Sequence, residues 1–133
     1  MAPVSDAAFE TARRRRDEIL ATEELLDDAA VRELLGEDPS ELRKSGRILG
    51  LWDGTAFRHP AFQFDGPARV IRGGVSELLA LLPRDRGGWR AGFWVFQPHA
   101  RLAGLTPAAA CARNVYLVLE AARSSFHPDD TDW

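Results

Sequence analysis

The stretch from Asp38 to Phe62, DPSELRKSGRILGLWDGTAFRHPAF, decides the fold. Asp38 offers a capping carboxylate and Pro39 stands at the first helical position, where its missing N–H costs nothing. Glu41 follows three residues after the cap. These signals start a short helix that Gly46 stops. Arg47 to Trp52 then reads as a strand. Asp53-Gly54 reads as a two-residue hairpin turn, because both positions tolerate positive φ. Thr55 to Phe62 returns as a second strand, with Pro60 limiting it to an edge. Upstream, Leu25, Leu26, Ala29, Ala30, Leu34 and Leu35 recur at helical spacing. They predict one helix over Thr22 to Gly36, with Thr22 as N-cap and Gly36 as its stop. Helix, tight turn, helix and β-hairpin make a winged helix-turn-helix over residues 22–65. On that frame Arg43, Lys44 and Arg47 are the candidates for reading DNA, and Arg58 on the wing is the candidate for a phosphate.

Working outward, residues 1–21 form an N-terminal helical arm with four consecutive arginines, Arg13 to Arg16. The run can be a phosphate-binding arm or a solvated face; the solvated face is preferred, since Asp17 and Glu18 follow directly. Residues 66–126 change character. Val75 to Leu82 is a short apolar helix ending at Pro83, and Arg84 to Gly88 is a polar loop. Trp89 to Phe96 is an aromatic-rich helix closed by Gln97-Pro98. Thr106-Pro107 restarts a helix as cap and first residue, and Asn114 caps the last one, Val115 to Phe126. Val118, Leu119 and Ala122 form the buried face of that last helix. Trp89, Phe93 and Trp94 are read as core in preference to a ligand cage. Phe62 and Phe64 are expected to pin the wing to the C-terminal helices. Residues 127–133 form an acidic tail. The expected class is therefore mainly α with a small β-hairpin wing (α+β).

The 133 residues hold 45% apolar and 28% charged side chains, an ordinary globular composition that excludes collagen and wholesale disorder. No apolar stretch is long enough to span a membrane. Met1 to Phe9 contains no apolar leader segment, which predicts a cytoplasmic protein without a membrane partner. Seventeen basic and 20 acidic residues leave a net charge of −3, which argues against a non-specific nucleic-acid coat. Lys44 is the single lysine among the basic residues, which reads as coding bias of a GC-rich genome. The acidic excess lies before Gly66.

The catalytic inventory is thin. His59, His99 and His127 share no helical spacing, and no His-Glu-x-x-His pattern occurs. Cys111 sits in an alanine-rich helix, the setting of a buried structural cysteine. Gly73-Gly74 and Gly87-Gly88 read as turns, and there is no nucleophile elbow, P-loop or dinucleotide fingerprint. A non-enzyme without metal or cofactor is expected.

With these residues on the page, the segment Phe57 to Phe126 resembles the toxin-binding domain of Xre/MbcA/ParS-type antitoxins, partners of RES-domain toxins. The resemblance is carried by His59-Pro60-Ala61-Phe62-Gln63-Phe64-Asp65, Gly74-Val75 and Leu78 to Pro83. It continues through Trp89, Phe93-Trp94, Gln97-Pro98, Leu102 and Gly104-Leu105-Thr106-Pro107. The chain departs from the pattern at Arg113-Asn114, where such proteins have Gly-Asp, and in a head like that of excisionase-like regulators. What the resemblance implies is a non-enzymatic antitoxin of a type II system. It would neutralise a RES-type NAD-consuming toxin by direct binding and repress its own operon. Arg123, Phe126, Asp129, Asp130 and Trp133 would be its toxin contacts, Trp133 as an aromatic anchor beside acidic residues. Homodimerisation follows from family habit and from repressor symmetry. The alternative is a stand-alone winged-helix transcription regulator or recombination accessory factor. A neighbouring RES-like gene favours the first reading, and salt-dependent promoter binding favours the second.

Overall fold

The computed structural model describes residues 6–126. Helix α1, Asp6–Thr22, leads into strand β1, Leu25–Leu26, then α2, Asp28–Leu35, and α3, Pro39–Lys44. Strands β2, Leu51–Trp52, and β3, Phe57–Pro60, follow, then β4, Phe64–Asp65, and β5, Val70–Ile71. The C-terminal half is α4, Val75–Leu81, α5, Trp89–Val95, α6, Pro107–Cys111, and α7, Val115–Ser125. The class is α+β, as expected: helices with small antiparallel sheets. Among the described residues, no single helix is long and apolar enough to cross a membrane.

Helix starts follow the local chemistry. Asp38 accepts from the Ser40 N–H at 3.0 Å, Thr106 from Ala109 at 3.1 Å and Asn114 from Tyr116 at 3.0 Å. Pro39 and Pro107 sit just inside their caps. Helices α4 and α5 instead start from glycines in the left-handed region, Gly74 and Gly88.

The single helix expected over Thr22 to Gly36 is broken. Thr22 ends α1, and Asp27 caps α2 by accepting from the Ala30 N–H at 2.8 Å. Leu25 and Leu26 are drawn into β1 opposite Pro60 and His59 of β3, so sheet pairing overrides helical spacing. The wing also differs in detail. Trp52 pairs with Phe57, leaving a four-residue loop rather than a two-residue turn. Asp53 builds that loop by accepting from the N–H groups of Thr55 and Ala56 at 2.7 and 2.8 Å. Strand β3 is not an edge: the sheet order is β1-β3-β2. Pro60 is tolerated because it ends the strand, and the Ala61 N–H supplies the next bond, to the Glu24 carbonyl at 3.0 Å.

This order, β1-α2-α3-β2-β3 with β3 central, is the winged-helix arrangement, closed by a small core of Val31, Leu42, Ile48 and Phe64. Phe64 therefore packs within the head. Phe62 does reach the C-terminal helices, with its ring edge-on to Phe96 at 6.4 Å. The main core lies under α4–α7, where α7 packs on α4 and α6. It also takes in Ile19 of α1 and Leu49 and Leu51 at the wing. The expected boundary after Asp65 falls inside the β4–β5 hairpin, and the two parts share this core. Trp89 is buried in it, with Phe93 and Trp94 packed against it.

Candidate nucleic-acid interface

Helix α3 is tied to the wing by a partly buried polar knot. The Arg43 guanidinium donates to Asp28 of α2 at 2.8 Å and to His59 Nε2 of β3 at 2.7 Å. It also lies 4.2 Å from the centre of the Phe57 ring, a cation–π contact. The second ring nitrogen of His59, Nδ1, faces the Leu26 carbonyl at 2.7 Å. A carbonyl only accepts, so Nδ1 carries the proton and Nε2 is the acceptor for Arg43. His59 is thus a fully buried strand residue. Burial, and then the Arg43 charge, push its pKa below the ordinary 6.5, against the Leu26 carbonyl and the carboxylates of Asp28 and Asp27.

The sign of the resulting pH dependence follows. The unfolded chain takes up a proton near pH 6.5 that the folded chain refuses, so this contribution is intact above that pH and is lost below it. The melting temperature is expected to fall as pH drops from about 7 to 5. His59→Gln is expected to flatten that slope. Thermal unfolding followed by circular dichroism checks it, and equal slopes would refute the assignment.

Beside this knot, between α3 and the α4–α5 loop, runs an open cleft of about 480 Å³. Arg43, Lys44, Arg47, Arg84 and Arg86 line it, against one acid, Asp85. The α4–α5 loop is fastened to the free edge of β2. Trp52 donates its N–H to the Gly87 carbonyl at 2.9 Å, and the Trp89 indole donates to the Trp52 carbonyl at 2.8 Å. Asp85 is turned to the start of α5, where it accepts from the Arg90 N–H at 3.3 Å. Lys44 is well exposed, with Glu41 at 3.9 Å, and Arg47 is half exposed, with Glu37 at 3.2 Å. Such solvated pairs contribute little and exchange readily for phosphate oxygens.

The four residues expected to meet DNA are thus divided by the fold. Lys44 and Arg47 share the cleft rim. Arg43 is committed to Asp28, His59 and Phe57, and so positions α3 rather than reaching outward. Arg58 alternates to the sheet face opposite Phe57 and His59 and pairs with Asp53 at 3.1 Å, away from the cleft. The N–H groups of Ala56 and Thr55, and then Arg58, hold the Asp53 carboxyl below its usual range. Arg84 and Arg86 were legible only as part of a polar loop. Two arginines around Asp85 are the only signal they carry, and chain folding alone brings them to α3.

In the Arg13 to Arg16 run, Arg13 pairs with Glu10 at 2.8 Å, and Arg15 pairs with Glu18 while donating to the Phe96 carbonyl. Arg15 therefore ties α1 to the end of α5. Of the expected toxin contacts, Arg123 is exposed in the last turn of α7, and Phe126 is half-buried with its ring 5.7 Å from Trp94. Asp129, Asp130 and Trp133 lie outside the described residues, as does His127. Cys111 is buried, and burial pushes its thiol up to about 11, which keeps it protonated and unreactive at neutral pH.

No family model matches the sequence, and no curated protein matches it. The fold has a counterpart among solved structures, described as "NMR structure of Rv2175c". The two superpose with a TM-score of 0.64 over 80% of this chain and 84% of that one, at 21% identity. The chain is therefore similar in fold to Rv2175c.

Proposed function

We propose that this protein is a non-enzymatic DNA-binding regulator that docks its winged helix on duplex DNA. The observation that carries the reading is the β1-β3-β2 sheet with α3 alongside, which leaves Lys44 and Arg47 on one exposed rim. In this reading Lys44 and Arg47 contact phosphates and base edges. Arg43 holds α3 at a set angle to the wing, and Arg58 serves a flanking phosphate from the wing's other face. The test is fluorescence anisotropy of the full chain with a labelled mixed-sequence duplex of about three helical turns. Titrations between about 50 and 200 mM salt give the number of phosphate contacts. Lys44→Ala/Arg47→Ala is expected to weaken binding about tenfold and to lower the salt slope by about two. Absence of binding by the parent chain at the lowest salt would overturn the reading.

A second reading, compatible with the first, is that of an antitoxin binding a RES-domain-like toxin through its C-terminal half. It is supported by α7, which leaves Tyr116 72% and Leu117 49% exposed in its first turn and Arg123 exposed in its last. Co-expression with the product of the adjacent reading frame tests it. Rescue of growth with co-purification supports it, and a harmless neighbour that forms no complex removes it.

A further inference from the structure

We propose that the α4–α5 loop is a second wing, whose Arg84 and Arg86 clamp the DNA backbone beside α3. The inference rests on the DNA-binding reading and extends the interface beyond the winged helix into the C-terminal half. Three observations carry it. The loop is built rigidly: Gly87 bonds the free edge of β2, the Trp89 indole bonds Trp52, and Gly88 meets the Gly50 backbone so closely that no side chain fits. Its charges point to the same cleft as α3. The Arg84 guanidinium lies against Gly46, the residue before Arg47, 3.7 Å from where a Cβ would stand, and Lys44 and Arg47 line the same cleft. Finally, the loop's one carboxylate, Asp85, is occupied at the start of α5. Among the described residues, neither Arg84 nor Arg86 has a carboxylate within ion-pair distance, whereas Arg43, Arg47 and Arg58 each do.

A cationic pair held on a rigid loop and lacking an acid partner fits a polyanion better than a neutral surface. The cleft is open to solvent and is lined by the C-terminal end of α3. The ligand it fits is therefore a phosphate backbone already held by Lys44 and Arg47. Such contacts fix register and strengthen binding, and carry no sequence preference of their own.

The experiment uses the full chain and the same mixed-sequence duplex. Arg84→Ala/Arg86→Ala is expected to weaken binding about tenfold and to reduce the salt slope by about two, with an unchanged melting temperature since both side chains are exposed. Arg84→Lys/Arg86→Lys, which keeps the charge, is expected to retain most of the affinity. If the alanine pair binds like the parent while Lys44→Ala/Arg47→Ala binds weakly, the second wing is refuted and the winged-helix reading stands. The second wing is refuted too if the lysine pair binds as weakly as the alanine pair. If the parent chain binds no duplex, both readings fail together.

Discussion

Gly88→Ala is expected to lose about 3–5 kcal/mol of stability, the range of severe core lesions. In a chain of this size that lowers the melting temperature by more than about 10 °C. Gly88 has φ +77°, where an alanine is strained by about 1–2 kcal/mol. Strain is the smaller part. A Cβ at this position would overlap the carbonyl oxygen of Gly50, so two backbone segments must separate. Separation loosens the bond from Trp52 to Gly87 and the indole bond of Trp89, which fasten the C-terminal half to the wing. Gly36→Ala is the control, because φ there is +72° and nothing lies within 4 Å of the added carbon. It should cost strain alone, about 1–2 kcal/mol. Paired thermal melts decide the matter; similar losses in the two variants would mean that the close approach is unimportant.

The second large effect is expected at Gln63. Its side chain is fully buried, between the end of β3 and the residue that precedes Gly50. The carboxamide accepts from the Leu49 N–H and donates to the Leu49 and Pro60 carbonyls, both at 3.0 Å. Gln63→Leu has nearly the same volume but leaves three backbone groups without partners. Each buried orphan costs about 1–3 kcal/mol, so a loss of at least about 3 kcal/mol is expected. A urea titration measures it as a lowered midpoint with an unchanged slope. A loss under about 1 kcal/mol would show that water satisfies the three groups and that Gln63 does not hold the wing in place.

Much of the local structure was legible in the residues. Asp38-Pro39, Thr106-Pro107 and Asn114 start helices where cap chemistry requires it, and Gly36 and Gly46 adopt positive φ at helix ends. Cys111 and the aromatic cluster lie in or against the core, as their neighbours imply. The errors share one cause. Leu25 and Leu26 have helical spacing but become a strand because β3 passes beside them. Pro60 argues for an edge but ends a central strand because Ala61 supplies the missing donor. His59 carries no signal of its partner in the sequence but is buried as the acceptor that seats Arg43.

The candidate interface was less legible than the fold. Basic residues near the second helix mark a region, yet exposure and pairing are properties of the packed chain. Arg43 and Lys44 are neighbours in sequence, and one is a partly buried strut while the other is solvated. Arg84 and Arg86 lie some forty residues from α3 and join it only through the edge of β2.

By itself, the sequence determined the class, the helix starts at Asp38, Thr106 and Asn114, and the helix-turn-helix followed by a hairpin, because capping, turn and periodicity preferences act over a few residues. The tertiary structure alone decided which strand is central, that one core serves both halves, and which arginines remain available to a partner. Those outcomes depend on backbone pairing and charge pairing between segments distant in the chain, which no local pattern encodes.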